Sequence, residues 1–214
     1  MSAPVPKNEK KRLKVLWQYE VLDTVPEEVF DDLTDLAAHI CETPIALISL
    51  VDEDRQWFKS KIGMTISETS RDVSFCAHAI TSEGLLIVPD ATKDKRFKDN
   101  PLVAGGQRIR FYAGSPLITP DGHALGTLCV LDKRPRTLRP EQQQALRVLA
   151  HHVMTQLELR RHARELDQAH ANGHQIKSEL ARAHAEITRL RRELDQFKRL
   201  VRPAKQTRAT RARR

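Results

Sequence analysis

The sequence predicts an α+β fold in which helices pack on an antiparallel sheet, followed by one long coiled-coil helix. Three observations carry this prediction. Two amphipathic helical patterns open the chain. Short apolar, β-branched runs separated by turn residues follow them and indicate strands. Between Pro140 and Pro203 the only proline or glycine is Gly173, so we expect about sixty residues of helix there.

The composition of the chain suits one globular domain joined to an exposed helix. It has 214 residues, of which 40% are hydrophobic and 30% are charged. No apolar run approaches the roughly 20 residues that span a bilayer. Residues 1–11 are polar and basic, without a secretory signal, and are expected to be flexible. We therefore expect a cytoplasmic protein that has no contact with a membrane.

The net charge of +8 is concentrated at one end of the chain. Residues 202–214 are rich in Arg and Lys and contain no acidic residue, which predicts a basic, disordered tail. Such a tail can bind nucleic acid or another anionic partner without sequence preference. It can equally serve only to keep the chain in solution, and the sequence leaves both interpretations open.

Two helices are predicted before the first strand. Apolar residues at near-helical spacing indicate the first over residues 8–22. Thr24 and Glu27 form a capping-box pattern that predicts the start of the second, and Pro44 marks its end. Its apolar positions predict a buried face made of Val29, Leu33, Leu36 and Ile40.

The middle of the chain alternates strands with polar connections. Strands are predicted at residues 45–51 and 56–62, which pair as a hairpin, and at residues 85–88. Residues 67–72 and 91–106 are predicted to be mostly loop, the latter with one short helical turn. Between them, Asp72 or Ser74 can cap a short helix over residues 75–80.

A long hairpin is predicted around Pro120-Asp121-Gly122. A three-residue turn closed by a bulge would place Cys129 beside Ala113, whereas a two-residue turn would place it beside Gly114. The two registers put different side chains on each face, and both stay open. Small residues interrupt both strands and leave room for a ligand or a closely packed helix: Ala113, Gly114, Ser115, Ala124 and Gly126.

The three cysteines, Cys41, Cys76 and Cys129, are widely spaced and form no C-x-x-C pair. The spacing supports neither a disulfide framework nor a structural zinc site. Each lies in an apolar segment, where a free cysteine usually acts as a small buried hydrophobe. We expect reduced thiols in the core and no metal site.

Residues 159–201 follow a heptad pattern that predicts a parallel, dimeric coiled coil. In a parallel pair Glu186 would meet Arg191 and Glu193 would meet Lys198, whereas an antiparallel pair would bring glutamates together. A solvated single helix is the alternative. The positions at the seam are Leu159, His162, Leu166, Ala169, Gly173, Ile176, Leu180, Ala183, Ile187, Leu190, Leu194, Phe197 and Val201.

Motifs along the predicted elements point to a known family. They are E-V-F-D-D-L-T (residues 28–34), P-I-A-L-I-S-L-V-D (44–52), R-Q-W-F-K-S (55–60), S-F-C-A-H-A-I (74–80), I-V-P-D-A (87–91), R-F-Y-A-G-S-P-L (110–117) and G-T-L-C-V-L-D (126–132). Together they resemble a GAF domain of the bacterial sensory type, over residues 12–158. The resemblance implies a GAF/PAS-like fold.

The resemblance also implies a small-molecule pocket over one face of the sheet, beneath the short helix and the loop after the third strand. Each candidate also has a purely structural interpretation. Phe75, Cys76 and Cys129 can serve in core packing, His78 can make a structural hydrogen bond, and Asp90 can stabilise a turn. The candidate pocket residues are Phe75, Cys76, His78, Asp90, Arg96, Phe97, Phe111, Tyr112, Ser115 and Cys129.

By the same resemblance, we expect a non-catalytic sensor in signal transduction that binds a small molecule or partner and acts through a separate output protein. One alternative is a cysteine-dependent reductase of free methionine sulfoxide, a GAF-fold enzyme, and another is nucleic-acid binding through the basic tail. The sequence contains neither the N-K-x-D-E signature of cyclic-nucleotide relatives nor the Cys-His dipeptide of bilin carriers. It assigns no cofactor.

Overall fold

The computed structural model describes residues 3–82 and 84–201, and the predicted basic tail lies outside them. The chain forms two units, one ending at His162 and the other beginning at Ala163. The described elements are α1 (Glu9–Gln18), α2 (Glu28–Cys41), β1 (Ile45–Val51), β2 (Arg55–Ile62), β3 (Glu68–Ser70), a 3₁₀ turn (Arg71–Val73), α3 (Phe75–Ala79), β4 (Leu86–Val88), α4 (Pro101–Ala104), β5 (Phe111–Ile118), β6 (Ala124–Asp132) and α5 (Pro140–Val201).

The strands of the described residues form one antiparallel sheet in the order β3-β2-β1-β6-β5-β4. The predicted α+β class is therefore confirmed. One core, which we call the helical face, lies between the sheet and α1, α2 and the start of α5, and includes Leu16, Phe30, Ile48, Leu128 and Val153. The opposite core, the α3 face, includes Leu47, Phe75, Phe97, Tyr112 and Cys129.

The predicted strands and the β1–β2 hairpin are confirmed with small changes at their ends. The structure adds β3, which pairs with β2 and lies in the segment predicted as loop over residues 67–72. This short strand lies at the edge of the sheet, and none of its side chains is buried. Its sequence therefore carries no apolar alternation that would reveal a strand.

The predicted capping box of α2 is wrong, and its predicted buried face is right for Leu33 and Ile40, which pack against the core, but wrong for Val29 and Leu36. Glu27 occupies the N-cap position without a capping side-chain bond, because the Glu27 carboxylate and the Thr24 hydroxyl both accept hydrogen bonds from the Lys59 ammonium. Val29 is 39% exposed and Leu36 is 44% exposed. The fully buried residues of the helix are mostly small: Phe30, Thr34, Ala37, Ala38 and Cys41.

The β5–β6 hairpin combines both predicted registers. Its tip is the three-residue turn, in which the Thr119 carbonyl accepts a hydrogen bond from the amide of Gly122, whose φ is 84°. A second irregularity between Leu117 and Ile118 then shifts the pairing, so that Cys129 lies opposite Gly114 within the sheet. The turn is therefore the three-residue type, while the strands pair in the register predicted for the two-residue turn.

The long helix is confirmed as α5, which has 62 residues. Its first turns bury Leu146, Leu149 and Val153 in the helical face. The boundaries predicted at residues 12–158 and 159–201 remain predictions, and α1 begins within the predicted flexible segment, at Glu9. Across the described residues, none of the helices combines the length and apolar character needed to cross a bilayer.

We expect Gly126→Ala to destabilise the domain by about 1–3 kcal/mol, because a side chain here would overpack the centre of the sheet. A Cβ at Gly126 would lie 1.9 Å from the carbonyl oxygen of Ser49 on β1, a backbone atom that cannot move aside without breaking the sheet. Urea unfolding measures the change. In the control Gly106→Ala the new Cβ meets no atom within 4 Å, so equal destabilisation of both variants would contradict this account.

Candidate functional site

The structure divides the predicted pocket residues into an inner and an outer group on the α3 face. The inner group, Phe75, Cys76, Tyr112 and Cys129, is buried between α3 and the sheet. The outer group is His78 and Arg96, with the buried ring of Phe97 between the two groups.

Three predicted residues lie away from both groups. Phe111 belongs to the core on the helical face. Ser115 follows it by four positions on β5, so strand alternation puts its side chain on that same face. Asp90 lies beyond the end of β4, where its carboxylate accepts hydrogen bonds from Thr92 and pairs with Lys93. The structure does not bring these three residues to the pocket.

All four residues of the inner group line a cavity of about 20 Å³, together with side chains of β1, β2 and neighbouring segments. The sulfur atoms of Cys76 and Cys129 lie 3.8 Å apart, and the Tyr112 hydroxyl donates to the Cys76 sulfur at 3.5 Å. The Phe75 ring stacks between those of Phe97 and Tyr112, with centroid distances of 4.1 and 5.2 Å. A cavity of this size holds about one water molecule, so it has no room for a metabolite in this conformation.

Local sequence explains how these side chains come together. Ser74 caps α3 by accepting the amide of Ala77 at 3.0 Å, and its hydroxyl also bonds the side chain of Gln56 on β2. The start of α3 is thereby fixed on the sheet. Gly114 then makes room for the Tyr112 ring, because a Cβ there would lie 2.1 Å from the phenolic oxygen.

The outer pocket has a volume of about 320 Å³, within the range that small-molecule sites occupy. The His78 imidazole meets the Phe97 ring edge-on at 4.7 Å, and the Arg96 guanidinium lies 5.1 Å from the centroid of the same ring. Arg96 is also held by two hydrogen bonds to the Asp94 carboxylate. The lining residues are Asp72, Val73, His78, Arg96, Asp99, Asn100 and Pro101.

The two groups differ in electrostatics. Burial lowers the pKa of His78, and the nearby charge of Arg96 lowers it further. Burial acts to raise the pKa of the Cys76 thiol, but hydrogen bonds from Cys129 and Tyr112 bring it down to about 6. Burial and the neighbouring Cys76 raise the pKa of Cys129 well above its ordinary value. The two thiols therefore ionise as a pair, with Cys76 first.

A second cluster joins the domain to α5, and it was absent from the predictions. Lys59 on β2 has a side chain with 0% exposure, and its ammonium donates to the Glu27 carboxylate at 2.6 Å and to the carbonyl of Val25 at 2.8 Å. Arg160 of α5 donates to the same Glu27 oxygen at 3.0 Å and to the carbonyl of Tyr19 at 3.2 Å. We call Glu27, Lys59 and Arg160 the Glu27 cluster.

These contacts hold Glu27 as a carboxylate. Burial acts to raise its pKa, but hydrogen bonds and charge from Lys59 and Arg160 outweigh burial and lower it. One signal was present in the sequence, since Lys59 stands in the middle of a predicted strand, directly after Trp57 and Phe58. A lysine at such a position more often points to solvent, so the pattern alone did not identify it.

Comparison with known proteins places the fold. Residues 25–157 match the sequence profile of the GAF domain. The GAF domain of a phosphoenolpyruvate-protein phosphotransferase from Acinetobacter superposes with a TM-score of 0.53 at 17% identity, over 72% of this chain and 97% of that one. A type II free methionine-R-sulfoxide reductase from Thermoplasma acidophilum gives 0.51 at 8% identity, over 61% and 90%. At such identities the likeness concerns the fold alone.

One curated relative is much closer in sequence. A cyclic di-GMP phosphodiesterase of Pseudomonas aeruginosa is 47% identical over 143 residues, which are 67% of this chain and 24% of the relative. This finding contradicts our expectation of a non-catalytic protein, since a sequence of this kind forms part of an enzyme. That expectation rested on the lack of a catalytic constellation between residues 1 and 214. The absence of such residues here says nothing about the remaining three quarters of the relative.

We expect His78 to titrate below its ordinary pKa of 6.5 and Arg96→Gln to raise that pKa, because the substitution removes a repelling charge and leaves Asp94 unpaired. Since the folded pKa is the lower one, His78 contributes stability above the unfolded pKa and loses it as the pH falls. NMR of the imidazole, assigned with His78→Gln, measures the titration. The exposed cation Lys98, changed to Gln, is the control, and an equal shift in both variants would contradict this origin.

Proposed function

The chain belongs to the GAF domain family, and we propose that it is a sensory module that regulates the hydrolysis of cyclic di-GMP. The 47% identity with a cyclic di-GMP phosphodiesterase carries this proposal. Because the chain spans about a quarter of that relative, the activity under its control lies in the same polypeptide or in a partner protein. The site of action would be the cytoplasm, where cyclic di-GMP is made and degraded.

The outer pocket is our proposed ligand site. It has the volume for a small metabolite, and its lining combines the His78 imidazole with side chains of both charge signs. Arg96 is already neutralised by Asp94, which favours a polar or zwitterionic ligand over a simple anion. The His78 imidazole resonance reports occupancy. If cyclic di-GMP, GTP and a mixture of amino acids all leave this resonance unmoved, the pocket is not their site.

The Glu27 cluster is our proposed route from the domain to α5. Arg160 is bonded through Glu27 to β2, and the neighbouring Glu158 is bonded to the hydroxyl of Tyr19. A change in the sheet or in the segment before α2 would therefore alter the contacts that hold α5. Ligand binding acts on such a system by favouring one of two conformations for which it has different affinity.

A parallel homodimer through residues 159–201 is our proposed form of the output. In the single chain an apolar stripe of α5 stays exposed, and a second helix would bury it. Its members are Leu159, Leu166, Ile176, Leu180, Ile187, Leu190 and Leu194. A change in the preferred conformation of α5 would then reach the output protein as a change in how the two helices pair.

Two other functions predicted from the sequence receive less support. The thiols that a methionine sulfoxide reductase would need lie at a cavity of about 20 Å³, which does not admit that substrate in this conformation. Binding of nucleic acid through residues 202–214 concerns a segment outside the described residues. Both stay predictions from the sequence.

We expect Glu27→Gln to uncouple the domain from cyclic di-GMP turnover, because loss of the carboxylate charge weakens the hold on Arg160. In the native host, the cyclic di-GMP level measured by mass spectrometry should match that of a strain lacking the chain. The matched control is Glu68→Gln, which also removes a carboxylate paired with an arginine, Arg55, but has no bond to α5. Urea unfolding of both variants checks whether the domain still folds, because Glu27→Gln also leaves the buried Lys59 ammonium without its charged partner.

Two outcomes would count against this proposal. If deletion of the gene leaves the cyclic di-GMP level unchanged, the chain has no role in its turnover. If deletion changes the level but Glu27→Gln behaves like Glu68→Gln, the regulatory role stands and the Glu27 cluster is not its route.

We expect Leu190→Cys to form a disulfide-linked dimer under mild oxidation, because a parallel seam brings the same position of two helices together. Arg192→Cys is the control, since it lies two residues away on the outward side of the heptad. The native cysteines are buried and do not compete. A non-reducing gel compares the two variants. Equal cross-linking of both, or none of Leu190→Cys, would contradict the parallel coil.

A further inference from the structure

Two buried thiols lie in contact on the α3 face without a role in the proposed function. Cys76 belongs to α3 and Cys129 to the middle of β6, and their sulfur atoms are 3.8 Å apart. Both side chains are at most 2% exposed. Cysteines this close from separate elements need only a small movement to come within bonding distance.

We propose that Cys76 and Cys129 form a redox-active dithiol that hydrogen peroxide closes into an intramolecular disulfide. The site senses a peroxide instead of binding a metabolite, so it does not depend on the outer pocket or on cyclic di-GMP. A dithiol reductant returns it to the two thiols.

The chemistry needs one peroxide molecule and both cysteines. The Cys76 thiolate attacks one peroxide oxygen, the O–O bond breaks, and the leaving hydroxide takes up a proton to become water. The sulfenic acid formed on Cys76 is then attacked by the sulfur of Cys129, which forms the S–S bond and releases a second water. Two electrons pass from the thiols to the peroxide, and two thiol hydrogens leave in the water molecules.

The cavity selects the oxidant. Cys76 and Cys129 both line this space of about 20 Å³, whose wall is mostly apolar and also includes Gln56 and Thr69. This space suits a molecule close to the size of water, as hydrogen peroxide is. A bulky disulfide such as oxidised glutathione cannot reach the sulfurs in this conformation.

The environment favours Cys76 as the attacking thiol. Hydrogen bonds from Tyr112 and Cys129 lower its pKa to about 6, whereas burial raises the pKa of Cys41 to about 11. A thiolate is the reactive form, so peroxide should reach Cys76 and spare Cys41. Cys41 belongs to the opposite core and provides an internal control within the native chain.

Closure would also move α3. The two sulfurs must approach from 3.8 Å to the bonded distance of about 2.05 Å. Phe75, next to Cys76, stacks on Phe97, and Phe97 contacts His78 of the outer pocket. The His78 resonance should therefore shift on oxidation, which would make the dithiol a second input to the same domain.

The test uses the full chain, reduced and then treated with hydrogen peroxide. After denaturation in N-ethylmaleimide, the reduced protein should carry adducts on Cys41, Cys76 and Cys129. The oxidised protein should carry one adduct, on Cys41, with peptide mapping showing a Cys76–Cys129 link that dithiothreitol reverses. Oxidised glutathione at the same concentration should leave all three thiols free.

Three outcomes would overturn the proposal: three free thiols after peroxide, a disulfide that involves Cys41, or Cys76 oxidised to the sulfinic acid while Cys129 stays free. The variant Cys129→Ala separates the two steps, because Cys76 should then stop at the sulfenic acid, which dimedone traps. Cys41→Ala should leave the disulfide intact. If Cys129→Ala fails to fold, the wild-type mapping still decides.

Discussion

The burial of one ammonium group constrains much of this domain. Lys59 stands on a central part of β2 without exposure to water, and an unpaired charge there would be very costly. Its partners are the carbonyl of Val25, the hydroxyl of Thr24 and the carboxylate of Glu27. These groups fix the segment between α1 and α2 over the edge of the helical face, and Arg160 attaches α5 to the same carboxylate. The sheet, the N-terminal helices and the long helix thus meet at one carboxylate.

The sequence was a good guide to elements and a poorer guide to the sides they bury. The strands, α3 and α5 follow from apolar runs, a serine cap and the lack of helix breakers, which are local signals. The buried face of α2 was misjudged in part, because the small residue Ala37 is buried while the larger Val29 and Leu36 stay exposed. The hairpin likewise follows its turn chemistry at Gly122 and then departs from it at Leu117.

The candidate site was predicted as one pocket and is divided by a wall of aromatic rings. Most residues chosen from the resemblance to sensory GAF domains lie on the α3 face, whereas Phe111 and Ser115 lie on the helical face because of strand alternation along β5. The contact between Cys76 and Cys129 lies beyond sequence reasoning, since it joins two elements that are far apart in the chain. The Glu27 cluster was not predicted from the sequence for the same reason.

Because Lys59 and Arg160 share the Glu27 carboxylate, the protein should respond to the ionic strength of its solution. Two cations compete for one carboxylate, and they are not equally able to leave it. Lys59 is sealed from water, whereas Arg160 retains some exposure and can be solvated or paired with a dissolved anion. Rising ionic strength should therefore loosen the attachment of α5 while the sheet and its buried lysine stay intact. The salt concentration of the surroundings thus becomes a variable to which the start of the long helix responds before the sheet does.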